Sequence, residues 1–447
     1  MIRLLSFLAV VLTLNHVLVS RGDDWPQWLG PKRDGVWRES GIVDRFPTNG
    51  LPVRWRTPLG GGYSGPSVSK GRVYIMDRHV ARNATKPANS FARGAIAGDE
   101  GVLCLDAATG TLLWQHRYEC AYTVSYPGGP RATPICQDGK LYTLGAEGAL
   151  LCFDAASGKI LWSRDFKKDF GAPTPVWGFA AHPLLLGRQL ICLVGGSNSV
   201  AVSFDKDSGQ ELWRALSAKE PGYAPPTLIH AAGKPQLIIW HPESVNALDP
   251  DTGKLYWSIP FTARSGLSVP TPRQDGERLF VTSFYEGGLM LKLGADQPGA
   301  TVLWRGKKQS ERDTDTLHSI MPTPFIDDGH IYGICSYGQL RCLKAATGER
   351  VWETLEATTE SRKETRWACA FLTKHQERYF LFNELGELIL ARLSPAEYEE
   401  ISRTKLIEPT SPDPGRLVVW SHPAYANRCI YVRNDKELLC ASLAKNP

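Results

Sequence analysis

The chain of 447 residues carries a net charge of +5, with 43% hydrophobic and 22% charged residues. Those proportions are globular and exclude a disordered or collagen-like chain. Both signs of charge are interspersed with no polybasic run, which points away from a nucleic-acid partner.

In chain order, residues 1–22 read as a secretory signal. Arg3 supplies the leading charge, Leu4 to Leu14 is apolar, and small residues Ser20 and Gly22 offer cleavage just before Asp23. That apolar run is too short to span a bilayer, and no later segment is apolar for long enough. No cysteine stands near the boundary to carry a lipid anchor. The mature chain is therefore expected to be exported, periplasmic or secreted, and not an integral membrane protein. Residues 23–50, including Trp25-Pro26-Gln27-Trp28, do not fit the pattern that follows and are expected to pack under or beside it.

From residue 51 a repeat dominates. A nine-residue phrase runs Asp106, Gly110, Trp114, then Asp154, Gly158, Trp162, then Asp205, Gly209, Trp213, then Asp249, Gly253, Trp257. A fifth copy has Lys344 in the first place, with Gly348 and Trp352. Each phrase has a local reason. Asp accepts hydrogen bonds from backbone N–H groups two and three residues on. Gly supplies the positive φ that closes the hairpin. Trp then lands on the outermost strand, where a flat ring covers the seam to the next repeat.

Residues 132–164 show one whole unit of four short strands: Ala132 to Cys136, Lys140 to Leu144, Ala149 to Phe153 and Ile160 to Trp162, joined by tight turns. Gly287 to Trp304 is a degenerate copy, and Arg378 to about Ile401 is one without its Trp. Arg78 to Glu100 reads as a loop inserted in the first unit. The C-terminus offers only three strands, Val418-Val419-Trp420, Cys429 to Val432 and Leu438 to Leu443. Val53-Arg54-Trp55-Arg56 is available to complete the last sheet, removing its open edge. The expected fold is all-β: an eight-bladed β-propeller of four-stranded antiparallel blades over residues 51–447, closed by an N-terminal strand.

Cys104, Cys152, Cys342 and Cys440 share one repeat position and read as small buried hydrophobes. Cys120, Cys136, Cys192, Cys335, Cys369 and Cys429 cannot be paired from the sequence, and no C-x-x-C motif exists.

The phrase Asp-Ala-Ala-Thr-Gly-Thr-Leu-Leu-Trp (106–114) and its copies resemble the PQQ-like β-propeller repeat, shared by quinoprotein alcohol dehydrogenases and BamB-like proteins. The resemblance covers roughly residues 51–443. It implies a ring whose Trp side chains dock blade to blade. On the dehydrogenase side it implies PQQ and Ca²⁺ near the axis, but this chain lacks the vicinal Cys-Cys pair of that branch and offers no assignable Glu, Asn and Asp ligand set. On the BamB side it implies an exported scaffold that binds other proteins, although the lipobox Cys is missing.

Any ligand is expected at the mouth formed by loops leading into the innermost strands. Those loops carry Tyr63, Tyr126, Arg131, Trp177, Tyr223, Arg264, His318, Arg366, Trp367 and His422. Arginine with stacking rings suits an anionic cofactor, a sugar or a peptide. No catalytic residue, metal ligand or cofactor is assigned. The leading reading is a non-catalytic binding or assembly scaffold whose partners are envelope proteins or a small ligand at the mouth. A PQQ and Ca²⁺ oxidoreductase and a carbohydrate-binding or carbohydrate-active propeller stay open beside it. His241-Pro242-Glu243 reads as turn chemistry, and Asp313 with Asp315 as a solvated loop.

Overall fold

The computed structural model of the protein describes residues 23–85, 87–359 and 363–445; the proposed signal, residues 1–22, lies outside them. Each unit of the repeat becomes one four-stranded antiparallel sheet, and there are eight such sheets among the described residues. Alternating short strands and tight turns leave each sheet with two apolar faces, and stacking sheets around an axis buries both. Blade 1 runs from Ser67–Ser69 at the axis to Leu112–Glu119 outside. Blade 2 runs from Ile135–Gln137 to Ile160–Asp165, and blade 3 from Leu184–Leu186 to Glu211–Ala215. Blades 4 to 7 follow in sequence, ending with the outer strand Tyr398–Lys405.

Blade 8 takes three strands from the C-terminus and its outermost from the N-terminus. Val53–Pro58 pairs antiparallel with Glu437–Ser442, Trp55 opposite Cys440. The expected ring closure is present. One detail differs from the sequence reading. The innermost strand of blade 8 is Ala424–Ala426, whereas Val418 belongs to a separate two-stranded ribbon, Ser411–Asp413 with Arg416–Val418. The reason is the turn. Asn427 and Arg428 both sit at positive φ (55° and 54°), as a two-residue hairpin turn requires, and so join Ala426 directly to Cys429. The insertion in blade 1 is also shorter than expected, because Arg72–Val80 and Gly98–Asp106 extend as a long hairpin and leave residues 81–97 as the loop.

The repeat phrase does two jobs at once. Asp106 Oδ1 accepts from the N–H groups of Ala108 (3.0 Å) and Thr109 (2.9 Å) and from the Thr109 hydroxyl (2.9 Å). Asp154, Asp205 and Asp249 bind their own turns in the same way. Gly158 has φ +73°, but conformation is only half of its role. A Cβ there would lie 2.6 Å from the ring of Trp114, which arrives from the preceding blade. That Trp donates its indole N–H to Ala155 O at 3.1 Å. Trp55, Trp162 and Trp304 dock on Gly110, Gly209 and Gly348 of the next blade likewise, each donating to a carbonyl of that blade's turn. The repeat cysteines face these rings across the sheet: Cys104 opposite Trp114, Cys152 opposite Trp162, Cys342 opposite Trp352. All ten cysteines are free, and all but the half-buried Cys120 are buried.

Only one α-helix occurs among the described residues, Phe166–Phe170, capped by the Asp165 carboxylate. No described helix is long and apolar enough to cross a membrane.

Candidate functional site: a blind aromatic bowl on the axis

Residues Trp25 to Trp37 of the lead-in pack against the inner strands, while Val43 to Gly50 run on to Leu443 and to the outer strand of blade 7. Trp25 exchanges two backbone hydrogen bonds with Val68 in the innermost strand of blade 1, both 2.9 Å. Pro26 O accepts from Cys136 N in blade 2, Arg33 Nη1 donates to Pro183 O (2.9 Å) ahead of blade 3, and Trp37 N donates to Lys374 O in blade 7. The segment thus satisfies inner strand edges that would otherwise face an open channel. Leu29 and Arg33 sit at positive φ, 59° and 55°. Non-glycine residues adopt that region at a cost of about 1–2 kcal/mol, and only where surrounding contacts over-determine it.

Trp28 is the result of this threading. Its indole lies flat on His182 (4.1 Å between centroids, 5° between planes) and edge-on to His422 (4.3 Å, 83°). Its N–H donates to Thr271 Oγ1 at 3.0 Å. Thr133 ties the two imidazoles together: its N–H donates to His182 Nδ1 (2.9 Å), and its hydroxyl meets His422 Nε2 (2.6 Å). Burial holds His422 at a pKa of about 3 and pushes His182 well below its ordinary value, with His422 adding to the second effect. Both rings are therefore neutral at physiological pH. Indole and imidazoles together floor the axial channel.

Above that floor is a cavity of about 430 Å³. The structure brings eight of the ten sequence-derived candidates to its wall: Tyr63, Tyr126, Arg131, Trp177, Tyr223, Arg366, Trp367 and His422. Arg131 stands over the Tyr63 ring (5.2 Å) and is held by three backbone carbonyls, of Gly129 (2.6 Å), Ser125 (2.9 Å) and Tyr126 (2.6 Å). Arg366 lies over Trp367 (4.3 Å) and pairs with Glu311 (2.5 Å). Trp177 meets Tyr223 edge-on at 5.7 Å. Tyr126 packs against Trp420 (5.6 Å) and donates its hydroxyl to Asp413 (3.0 Å). Three lining residues, Tyr126, Ser265 and Trp367, sit at positive φ (50°, 58° and 65°). Bulky residues rarely adopt that region, and such strain concentrates where a site is being shaped.

Two candidates are not in the bowl. His318 is fully buried behind it, between Phe284 O and the Asp315 carboxylate, because the chain turns inward after Asp315. Arg264 lies over Tyr285 (4.7 Å) and donates to Gln309 O (3.2 Å), outside the cavity lining. Conversely, the sequence reading missed Trp28, Phe91, Phe371 and Tyr285, all of which line the cavity. Phe91 comes from the blade 1 insertion. It packs on Tyr126 (5.1 Å) and Trp367 (5.6 Å), while Ser90 O accepts from Tyr126 N, so the loop forms a strap over the mouth. Only the apolar character of an otherwise polar insertion hinted at Phe91.

His241 keeps to its turn, accepting from Glu243 N at 3.3 Å. Asp315 binds Lys307 N (2.6 Å), and Asp313 pairs with Lys308 (2.6 Å).

The donor chemistry of the bowl can be set against PQQ with Ca²⁺. Calcium takes six to eight oxygen ligands, carboxylates foremost. The described lining residues include two arginines and two neutral histidines but no Asp, Glu or Asn, and no described cluster of three His, Cys, Asp or Glu could hold a metal ion. The residues present do not fit a bound Ca²⁺.

A family model described as outer membrane protein assembly factor BamB matches residues 98–354. Among solved structures, BamB from Moraxella catarrhalis aligns with a TM-score of 0.56 at 13% identity, covering 88% of this chain and 99% of that one. Quinohemoprotein alcohol dehydrogenase from Comamonas testosteroni gives 0.59 at 12% identity, covering 95% and 81%. The computationally designed Ika8 protein gives 0.53 at 12% identity, covering 88% and 100%. At these identities the likeness is one of fold alone, and one fold hosts unrelated functions. A comparison with curated proteins returned no match.

Proposed function

Because the chain belongs to the BamB family of PQQ-like propellers, we propose that it is a non-catalytic binding propeller of the cell envelope, with the aromatic bowl as its ligand-holding face. The observation that carries this reading is the floor. Trp28, His182 and His422 close the channel, and the two imidazoles that would otherwise serve as acid and base are neutral, buried and occupied by Thr133. General acid–base chemistry needs a group whose pKa lies near working pH and whose proton is free to move. The lining offers stacking surface and guanidinium groups instead, which are the elements of recognition. The signal-like residues 1–22 support placement in the envelope, where a scaffold of this family would meet its partners.

The test is titration of the purified chain with PQQ and Ca²⁺, followed by absorbance and by dye-linked oxidation of alcohols and sugars. The reading expects no stoichiometric uptake and no turnover. Uptake accompanied by turnover would overturn it in favour of a quinoprotein oxidoreductase.

A further inference from the structure

Resting on the reading of the bowl as the ligand-holding face, we propose that Asn89 to Arg93, the part of the blade 1 loop that crosses the mouth, is a hinged lid whose opening sets the rate of entry to the bowl. The two halves of that loop differ. Arg82 to Thr85, with Pro87 and Ala88, form no hydrogen bond outside the loop among the described residues. The bond found there closes a turn, Ala84 N to Ala81 O at 3.0 Å. Asn89 to Arg93 is built as a unit. The Asn89 carboxamide oxygen accepts from the N–H groups of Phe91 (2.9 Å) and Ala92 (3.0 Å), which holds the turn that presents Phe91. The unit is also seated on the wall. Tyr126 N donates to Ser90 O (2.6 Å), Ser125 Oγ to Phe91 O (2.9 Å) and Ser90 Oγ to Pro412 O (3.4 Å). Arg93 donates to Thr123 O (2.8 Å) and Thr174 O (3.2 Å).

That seat is releasable. Its largest apolar contact, the Phe91 ring, stays 45% exposed. Segments held by few buried apolar contacts and by exposed hydrogen bonds open locally, without global unfolding. The ends of the moving part are fixed. Ala81 N bonds Ala97 O beyond the long hairpin, and Ile96 exchanges two backbone bonds with Tyr122 (2.9 and 3.0 Å). Between Ile96 and the seated turn stands Gly94, where a Cβ would meet nothing within 4 Å, so a hinge has room to turn. The surface under the lid is held by other contacts. Tyr126 is kept in place by Asp413 and Trp420, and Trp367 N donates to Ser336 O (2.9 Å). Release of the turn therefore uncovers the bowl and leaves its wall standing.

The test follows two rates in the full chain. Ala180 lines the cavity, so A180C, made together with C120S to remove the half-buried thiol, places one reactive group under the lid. Its alkylation by iodoacetamide is timed beside amide exchange at Tyr126, whose N–H is bonded to the lid. The reference is the amide of Phe179, bonded to Ala146 O in the wall (2.9 Å). Tyr126 is expected to exchange at least tenfold faster than Phe179. S125A removes one bond of the seat at a residue outside the cavity lining. It should speed Tyr126 exchange and A180C alkylation at least fivefold and by the same factor, with Phe179 unchanged. Should S125A fail to fold, R93A at an exposed side chain should give the same pair of increases. Tyr126 exchanging no faster than Phe179, alkylation of A180C as fast as that of a free thiol, or a rise in one rate without the other would each overturn the lid. PQQ uptake with turnover would instead strike the non-catalytic reading and leave both rates where they are.

Discussion

The docking of each tryptophan on the next blade's glycine can be measured with one pair of substitutions in blade 2. Gly139 and Gly158 both close hairpin turns at nearly the same φ, +77° and +73°. A methyl at Gly139 meets nothing within 4 Å, whereas at Gly158 it would lie 2.6 Å from two atoms of the Trp114 ring. Gly139→Ala therefore costs only the left-handed conformation, about 1–2 kcal/mol. Gly158→Ala costs the same plus displacement of the indole. That displacement loses its hydrogen bond to Ala155 O, worth about 0.5–1.5 kcal/mol, and part of the packing at the seam. A total of about 2–4 kcal/mol follows for Gly158→Ala. For a cooperative unit of this length, ~1 kcal/mol moves the melting temperature by about 1 °C. Differential scanning calorimetry should place the Gly158→Ala variant ~1–2 °C below the Gly139→Ala variant, with a red-shifted tryptophan emission. Identical melting temperatures would refute the claim that the repeat glycine exists to receive the ring.

Three further outcomes follow from the structure. His422 is held neutral down to about pH 3 by burial, while an unfolded imidazole titrates near 6.5. Its folded pKa is depressed, so the stability it contributes is full above about pH 6.5 and is lost as pH falls toward 3. His422→Gln, which keeps a partner for Thr133, should flatten the melting temperature between pH 6 and 4, and a curve parallel to that of the native chain would contradict this. Trp28→Ala removes a side chain only 5% exposed and should cost about 3–5 kcal/mol. It should also move the His422 imidazole titration, followed by NMR, upward from about 3 as water enters the floor. Thiol titration should find ten reactive cysteines in guanidinium and no more than one, Cys120, in the native chain. A count of eight in denaturant would reveal a disulfide that the structure does not contain.

Much of the ring was legible because each blade repeats a local solution. Asp106, Gly110 and Trp114 announce a turn, a close approach and an outer strand by their chemistry alone, and the five such phrases, two degenerate copies and the blade closed by Val53-Arg54-Trp55-Arg56 make the eight blades. The sequence reading failed where the chain left that pattern. Asn427-Arg428 is an uncommon pair for a turn with two positive φ values, so the innermost strand of blade 8 was placed several residues early. The bowl's walls were legible as aromatic and basic residues in the loops leading into the innermost strands. Its floor was not. Trp28 lies 243 residues from its partner Thr271, and no local periodicity reports a contact of that range. His318 was placed at the mouth by position in its loop, yet it turns inward to Asp315. Spacing cannot tell those two directions apart.

The most direct measurement is a crystal structure of the full chain grown with PQQ and Ca²⁺. The account predicts the Trp28 indole stacked on His182 across the axis, and neither quinone nor metal density in the bowl. Quinone and metal density above Trp28 would contradict it.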